Sequence, residues 1–251
     1  MKDNYFREKH ILYRYLGTKL VKLFKDHHVI VAGGTITSLF SSRKINDVDC
    51  YFKSKSNRDA VVKELNTMKG AKRTFETEHA IMFEIGKKNP IKVQTVLIDD
   101  LILASPTFIL AEFDYTICMG AFDFQVDKFI VSREFLAHLA QRRLVFNIKT
   151  KYPIVSLLRA VKFINRGYRL AGIEALKIGL TCNALQIKTY KDLREQILGI
   201  DTLFLRELTD RLSKPETAEN DYDFEYAMDL ISELLEKYGR VFEDSDESIP
   251  I

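Results

Sequence analysis

VIVAGGTITSLFSSRKINDVDCYF, residues 29–52, reads as a buried strand, a tight Gly33-Gly34 turn, one short helix, and a second strand carrying Asp47 and Asp49. Side chains alternate across a strand, so Asp47 and Asp49 are expected on one face and Val48 on the other. Two carboxylates about 6–7 Å apart along a strand suit a shared divalent cation. A glycine pair opening a helix lets a phosphate approach closely, because the first backbone N–H groups and the helix dipole favour an anion there. Either element alone is commonplace: Gly-Gly is often only a turn, and Asp-x-Asp a solvated strand edge. Their order and spacing point further. Val29, Ile30 and Val31, with Val48, Cys50 and Phe52, look buried, so a core element presents the acids. A phosphate cradle beside a metal site implies phosphoryl or nucleotidyl transfer.

Outward from this stretch, residues 5–27 carry a helical rhythm of apolar positions interrupted by Gly17, and residues 28–32 form the first strand. Helices are expected near 35–41 and over 56–69, the latter ending at Gly70. The Asp-x-Asp strand is expected near 46–53. Segments 79–85 and 91–98 form a hairpin around Gly86-Lys87-Lys88-Asn89-Pro90. A helix near 99–111 precedes two short strands joined around Gln125-Val126-Asp127. Ser132 caps a helix ending near Arg143, and Pro153 opens another that Gly167 closes. Further helices fit 171–181, 188–198, 201–212 and 222–238, with a polar loop over 213–223. The fold class is therefore α+β: an N-terminal α/β domain with a mixed sheet over 1–145, then an all-α region over 146–240. Residues 241–251 read as a disordered acidic tail.

With 251 residues the chain has ample material for a core. A net charge of +3 is too small to argue nucleic-acid binding by itself. Cys50, Cys118 and Cys182 are far apart and form no C-x-x-C pair, which fits small core residues in a reducing compartment. The charged N-terminus lacks a signal-peptide apolar region, and no apolar stretch approaches the ~20 residues of a membrane helix. A cytoplasmic protein without membrane contact is expected. The five histidines are too scattered for a zinc cluster. No motif supports a Ser or Cys nucleophile. A third metal-binding carboxylate would come from the strand IKVQTVLI, whose corresponding position holds Gln94; Glu84, Glu76 and Glu78 are weaker candidates.

Three ordered segments carry a resemblance. They are GGTITSLFSSRKINDVDCYF (33–52), FDYTICMGAFD (113–123) and PIVSLLRAVKFINRGYRL (153–170). Together they resemble the DNA polymerase β-like nucleotidyltransferase superfamily. Within it they are most similar to the head and neck of class II tRNA CCA-adding enzymes and related poly(A) polymerases. The chain departs from that pattern at Thr37-Ser38, Glu112-Phe113 and Ser156, where the family carries charged residues, and has no counterpart of its nucleobase-templating segment.

The resemblance implies that Asp47 and Asp49 are catalytic ligands of Mg²⁺ or Mn²⁺ holding a nucleoside triphosphate. It implies phosphate or nucleotide contacts for Gly33, Gly34, Thr35, Ser38, Asp114, Arg159 and Lys162. Arg159, Lys162 and Arg166 share one helix face and could equally be a solvated stripe. Arg43-Lys44 and Arg142-Arg143 read as loop charges. The expected reaction is transfer of NMP to an acceptor hydroxyl, with a tRNA-like RNA 3′ end as partner. A protein or small-molecule acceptor, as in toxin-like transferases, and a catalytically silent binding module remain alternatives.

Overall fold

A computed structural model describes residues 5–77, 80–97, 101, 105–197, 203–214 and 220–245. The chain divides into two compact units, residues 1–149 and 150–251. The first contains a mixed seven-stranded sheet, and α-helices make up most of the second, so the chain is α+β as expected.

The first unit opens with α1 (Phe6–Asp26), in which Gly17 has φ +73° and breaks the helical backbone. There follow β1 (Ile30–Ala32), α2 (Gly34–Phe40), β2 (Val48–Tyr51), α3 (Lys55–Thr67), β3 (Ala71–Glu76), β4 (Ala80–Ile85) and β5 (Ile91–Val96). Then come α4 (Pro106–Ala111), β6 (Gly120–Asp123), β7 (Lys128–Val131) and α5 (Arg133–Ala140). The strand order is β3-β4-β5-β2-β1-β6-β7, with β2 and β5 parallel and every other neighbour antiparallel. Hydroxyl caps start three helices of this unit: Ser54, Ser105 and Ser132 each accept a backbone N–H three residues on.

Strand alternation sorts the core into two layers. Ile30, Ala32, Tyr51, Val96 and Ala121 point one way and pack with Ile109 and Leu110 of α4, joined by Phe113, Met119 and Ile130. Val31, Val48, Cys50, Val93 and Phe122 point the other way and are fully buried. On that side the Phe122 ring meets Tyr13 of α1. Gly120 shows how tightly the second layer is packed. A Cβ there would stand 2.8 Å from Ile36 of α2 and 2.9 Å from Phe135 of α5.

The second unit comprises α6 (Pro153–Asn165), α7 (Gly172–Asn183), α8 (Tyr190–Ile197), α9 (Leu203–Leu212) and α10 (Phe224–Ser245), with a two-residue strand at Arg169–Leu170, so the region expected as all-α is not wholly helical. Tyr190, Ile197, Leu208, Leu212, Ala227, Leu230 and Leu234 form a core from α8, α9 and α10. Pro153 stands in the first turn of α6, where its missing N–H costs nothing.

Several expectations change. Residues 71–76, unassigned from sequence, form the edge strand β3, which is exposed on both faces and so lacks a buried alternation. α10 continues to Ser245, into the stretch from residue 241 that was expected as an acidic tail. Residues 246–251 lie outside the described residues, as do Glu78, His79, residues 98–100 and 102–104 of the expected hairpin and helix, and 215–219 of the polar loop. No described helix is long and apolar enough to cross a membrane.

Candidate nucleotide and metal site

β1 ends where the chain must turn sharply into α2, and Gly33 makes that turn with φ +77° and ψ −133°. A residue with a Cβ resists this backbone geometry. Space is limited too: a Cβ at Gly33 would lie 3.3 Å from Phe113 Cζ and 3.7 Å from Asp49 Oδ2. The glycine elbow and the second aspartate of the Asp-x-Asp motif are therefore in direct apposition. A Cβ at Gly34, the first residue of α2, would meet nothing within 4 Å. The amides of Ile36 and Thr37 return to the Gly33 carbonyl at 3.0 and 3.1 Å and close the first helical turn.

The sheet register places Asp49 opposite Ala32 on β1 and opposite Gln94 on β5. Asp49 therefore shares its face with Gln94, the position from which a third carboxylate was expected, and an amide stands there. Asp47 immediately precedes the first β2 residue. Its carbonyl accepts the Thr35 hydroxyl at 2.9 Å, so α2 pins the start of the Asp-x-Asp segment. Thr35 is buried and donates its proton to the backbone there. Burial first, and then the charge of Asp47, raise the Tyr15 phenol above its usual range. That phenol also reaches the Ile45 carbonyl at 3.4 Å. Cys50, turned into the opposite core layer, is pushed well above the usual thiol range by burial and by the charge of Asp49.

Asp114 is 3% exposed. Its carbonyl accepts the Asn147 N–H at 2.7 Å, while the Asn147 side-chain amide donates to the carbonyls of Ala111 and Phe113 at 2.7 and 2.8 Å. Asn147 thus staples the segment that places both Asp114 and Phe113. Nothing in its local sequence pattern marks this role. Phe113 stands where the resembling family has an arginine; its ring abuts Gly33 and meets Tyr51 edge-on at 6.1 Å. Ser38 is half-buried on α2, and its carbonyl accepts the Arg43 N–H. Arg159 and Lys162 lie on α6 of the second unit, the Arg159 guanidinium 5.9 Å from the Phe163 ring centre.

Among the described residues, no group of three or more His, Cys, Asp or Glu side chains could hold a metal ion. The donors offered here are two carboxylates and the Gln94 amide, all hard oxygen ligands. Donors of this kind are the ones Mg²⁺ or Mn²⁺ takes.

Several solved structures share this fold. A tRNA-processing enzyme in its apo form superposes with a TM-score of 0.52 at 18% identity, covering 90% of this chain and 64% of that one. A tRNA nucleotidyltransferase complexed with a primer tRNA and an incoming ATP analog gives 0.52 at 19% identity, covering 92% and 63%. A tRNA-processing enzyme with CTP gives 0.51 at 20%, covering 92% and 58%. At these identities the likeness shows a shared fold and nothing finer. Sequence relationships identify a different family from the CCA-adding enzymes and poly(A) polymerases suggested by the motifs, and correct that finer expectation. "Gabija anti-defense 2" of Bacillus phage SPbetaL7 is 37% identical over 232 residues. The match takes in 92% of this chain and spans 55% of that relative's length. A profile of the same family matches residues 5–142, more than half of the chain. The chain belongs to the Gabija anti-defense 2 family.

Proposed function

We propose that this protein is a divalent-metal-dependent nucleotidyltransferase that moves NMP from an NTP to an acceptor hydroxyl, and that an RNA 3′ end is the acceptor. In the setting its family's name gives, the transfer would serve a phage against Gabija defence. The observation that carries the reading is the apposition of Gly33 and Asp49, with Asp49 Oδ2 3.7 Å from the place a Cβ would occupy. A carboxylate fixed against a glycine elbow at the head of a helix is the arrangement that phosphoryl chemistry needs. The elbow admits the triphosphate, and the acid side chain meets its charge across a bound cation.

Asp47 and Asp49 would hold the cation, with Gln94 as a neutral oxygen donor beside them. When bound, Mg²⁺ or Mn²⁺ supplies charge neutralisation of the triphosphate and a lowered pKa for the attacking hydroxyl. Gly33 and Gly34 contribute backbone contacts to the phosphates. Thr35 acts by positioning Asp47, and Phe113 by supporting Gly33. Asp114, Ser38, Arg159 and Lys162 are proposed nucleotide contacts on the strength of the motif resemblance. Gln94 favours a second reading, a catalytically silent binding module, because an amide brings no charge to the cation.

The test is incubation of the protein with each α-labelled NTP and Mg²⁺ in the presence of tRNA, other RNAs and host protein. Label in RNA is expected. Label in protein alone would replace the acceptor, and no label with any NTP would favour the binding module.

A further inference from the structure

The strands that carry the candidate site also gather a set of lysines at the same end of the sheet. β2 and β5 are parallel, with Val48 opposite Val93 and Asp49 opposite Gln94. One step further along this register brings Lys92 level with Asp47. Across the sheet, Lys92 is opposite Glu84 on β4, and Glu84 is opposite Lys72 on β3. The turn after β4 brings Lys87 and Lys88 to this end, and the Gly86 N–H donates to Gly70 O at 2.9 Å, so Lys69 arrives there too. Lys69, Lys72, Lys87, Lys88 and Lys92 are all exposed, and Glu84 is the one carboxylate interleaved with them in the register. Among the described residues none of the five lysines is held in an ion pair.

The next row on the same face runs Asp49, Gln94, Met82, Phe75. Phe75 is 53% exposed, on an edge strand where a large aromatic gains little from the core. Three strand spacings, about 14 Å, separate the Asp49 strand from the Phe75 strand. The wing therefore combines exposed ammonium groups, a free aromatic face and a path leading to the carboxylates.

We infer that the β3–β4–β5 wing binds single-stranded RNA, the lysines meeting its phosphates and Phe75 stacking on a base, so that the strand runs toward Asp47 and Asp49. Ammonium groups and an aromatic platform are the pairing that single-stranded nucleic acid rewards, since each base offers a π-face and each linkage a charge. The direction of the strand rests on the nucleotidyl-transfer reading; its binding does not.

Anisotropy of a fluorescent 12-nucleotide RNA with the full chain, in EDTA and without NTP, measures binding apart from catalysis. Lys72→Gln/Lys92→Gln should weaken binding at least ~10-fold and reduce the slope of log K against log[salt] by about 1.4, the loss of two phosphate contacts on a single strand. Phe75→Ala should weaken it roughly 5- to 150-fold, the range for one stacked base. Lys22→Glu, exposed on α1, should leave it unchanged. Unaltered melting of each variant shows that the fold is intact, as expected for exposed positions. Failure of the wild type to bind RNA, or wild-type affinity and salt slope in the wing variants, would overturn the inference and leave the wing to a protein partner or to solvent. RNA binding through the wing without any transfer of label sinks the enzymatic reading alone. Transfer that is indifferent to the wing variants sinks the binding surface alone.

Discussion

Gly33 is the residue on which the site turns, because it combines a backbone that side chains resist with a neighbour on each side. Replacing it with alanine forces a Cβ into φ +77° and to 3.3 Å from Phe113 Cζ. Such a conformation costs of order 1–3 kcal/mol. Gly33→Ala should lower the melting temperature and cut transfer together, measurable by calorimetry and label incorporation. Wild-type values for both would show that the elbow is not constrained as described. Gly34→Ala makes a contrast, since its added methyl meets open space. At this scale much was legible in the sequence. Gly-Gly, the spacing to Asp47 and Asp49, and the amide at Gln94 all stand in one short string or in one strand alignment. Phe113 and Asn147 were not legible as site residues, because their roles come from contacts across the fold.

Two elements hold the site's frame through single side chains. The Thr35 hydroxyl ties α2 to the Asp47 carbonyl, and Thr35→Val keeps the shape while leaving that carbonyl unpaired. A loss of about 1–3 kcal/mol is expected, with transfer reduced more than stability explains. Transfer and melting both at wild-type level would remove Thr35 from the account. On the far side of the unit, the β6–β7 turn is clamped to α1. Asp127 accepts a hydrogen bond from Tyr13, meets Lys9 Nζ at 2.6 Å and lies 3.4 Å from Lys25 Nζ. Burial alone would raise the Asp127 carboxyl. The Lys9 and Tyr13 hydrogen bonds and the two lysine charges outweigh it, so its pKa falls below the ordinary value. A depressed carboxylate stabilises the fold above its unfolded pKa of about 3.9 and loses that contribution as pH falls through the folded value. Asp127→Asn should therefore lower the melting temperature at pH 7, with the gap to wild type closing below about pH 3.9. A gap that stays constant or widens on acidification would contradict the clamp. Elements made of short, almost wholly buried runs, such as β1, β2 and β6, could be read from the sequence. β3 could not, since an exposed edge strand leaves no apolar period, and neither could the extension of α10 through an acidic stretch.

For the molecule as a whole, the three ordered motifs were enough to reach the nucleotidyltransferase fold, because the fold's demands on residues 33–52 are local. The family was beyond reach, since nothing about an anti-defence role is written in elbow or acid pair. The motifs resemble a CCA-adding enzyme, yet the missing arginines and templating segment agree with a chain of a different family. Incorporation of label from α-labelled NTP should require Mg²⁺ or Mn²⁺, stop on addition of EDTA and return on resupply. In Asp49→Asn it should fall by at least the roughly 10²- to 10³-fold that losing a single electrostatic contact costs. Asp49→Asn should melt like the wild type. Transfer at the wild-type rate by Asp49→Asn, or transfer that persists in EDTA, would contradict the account.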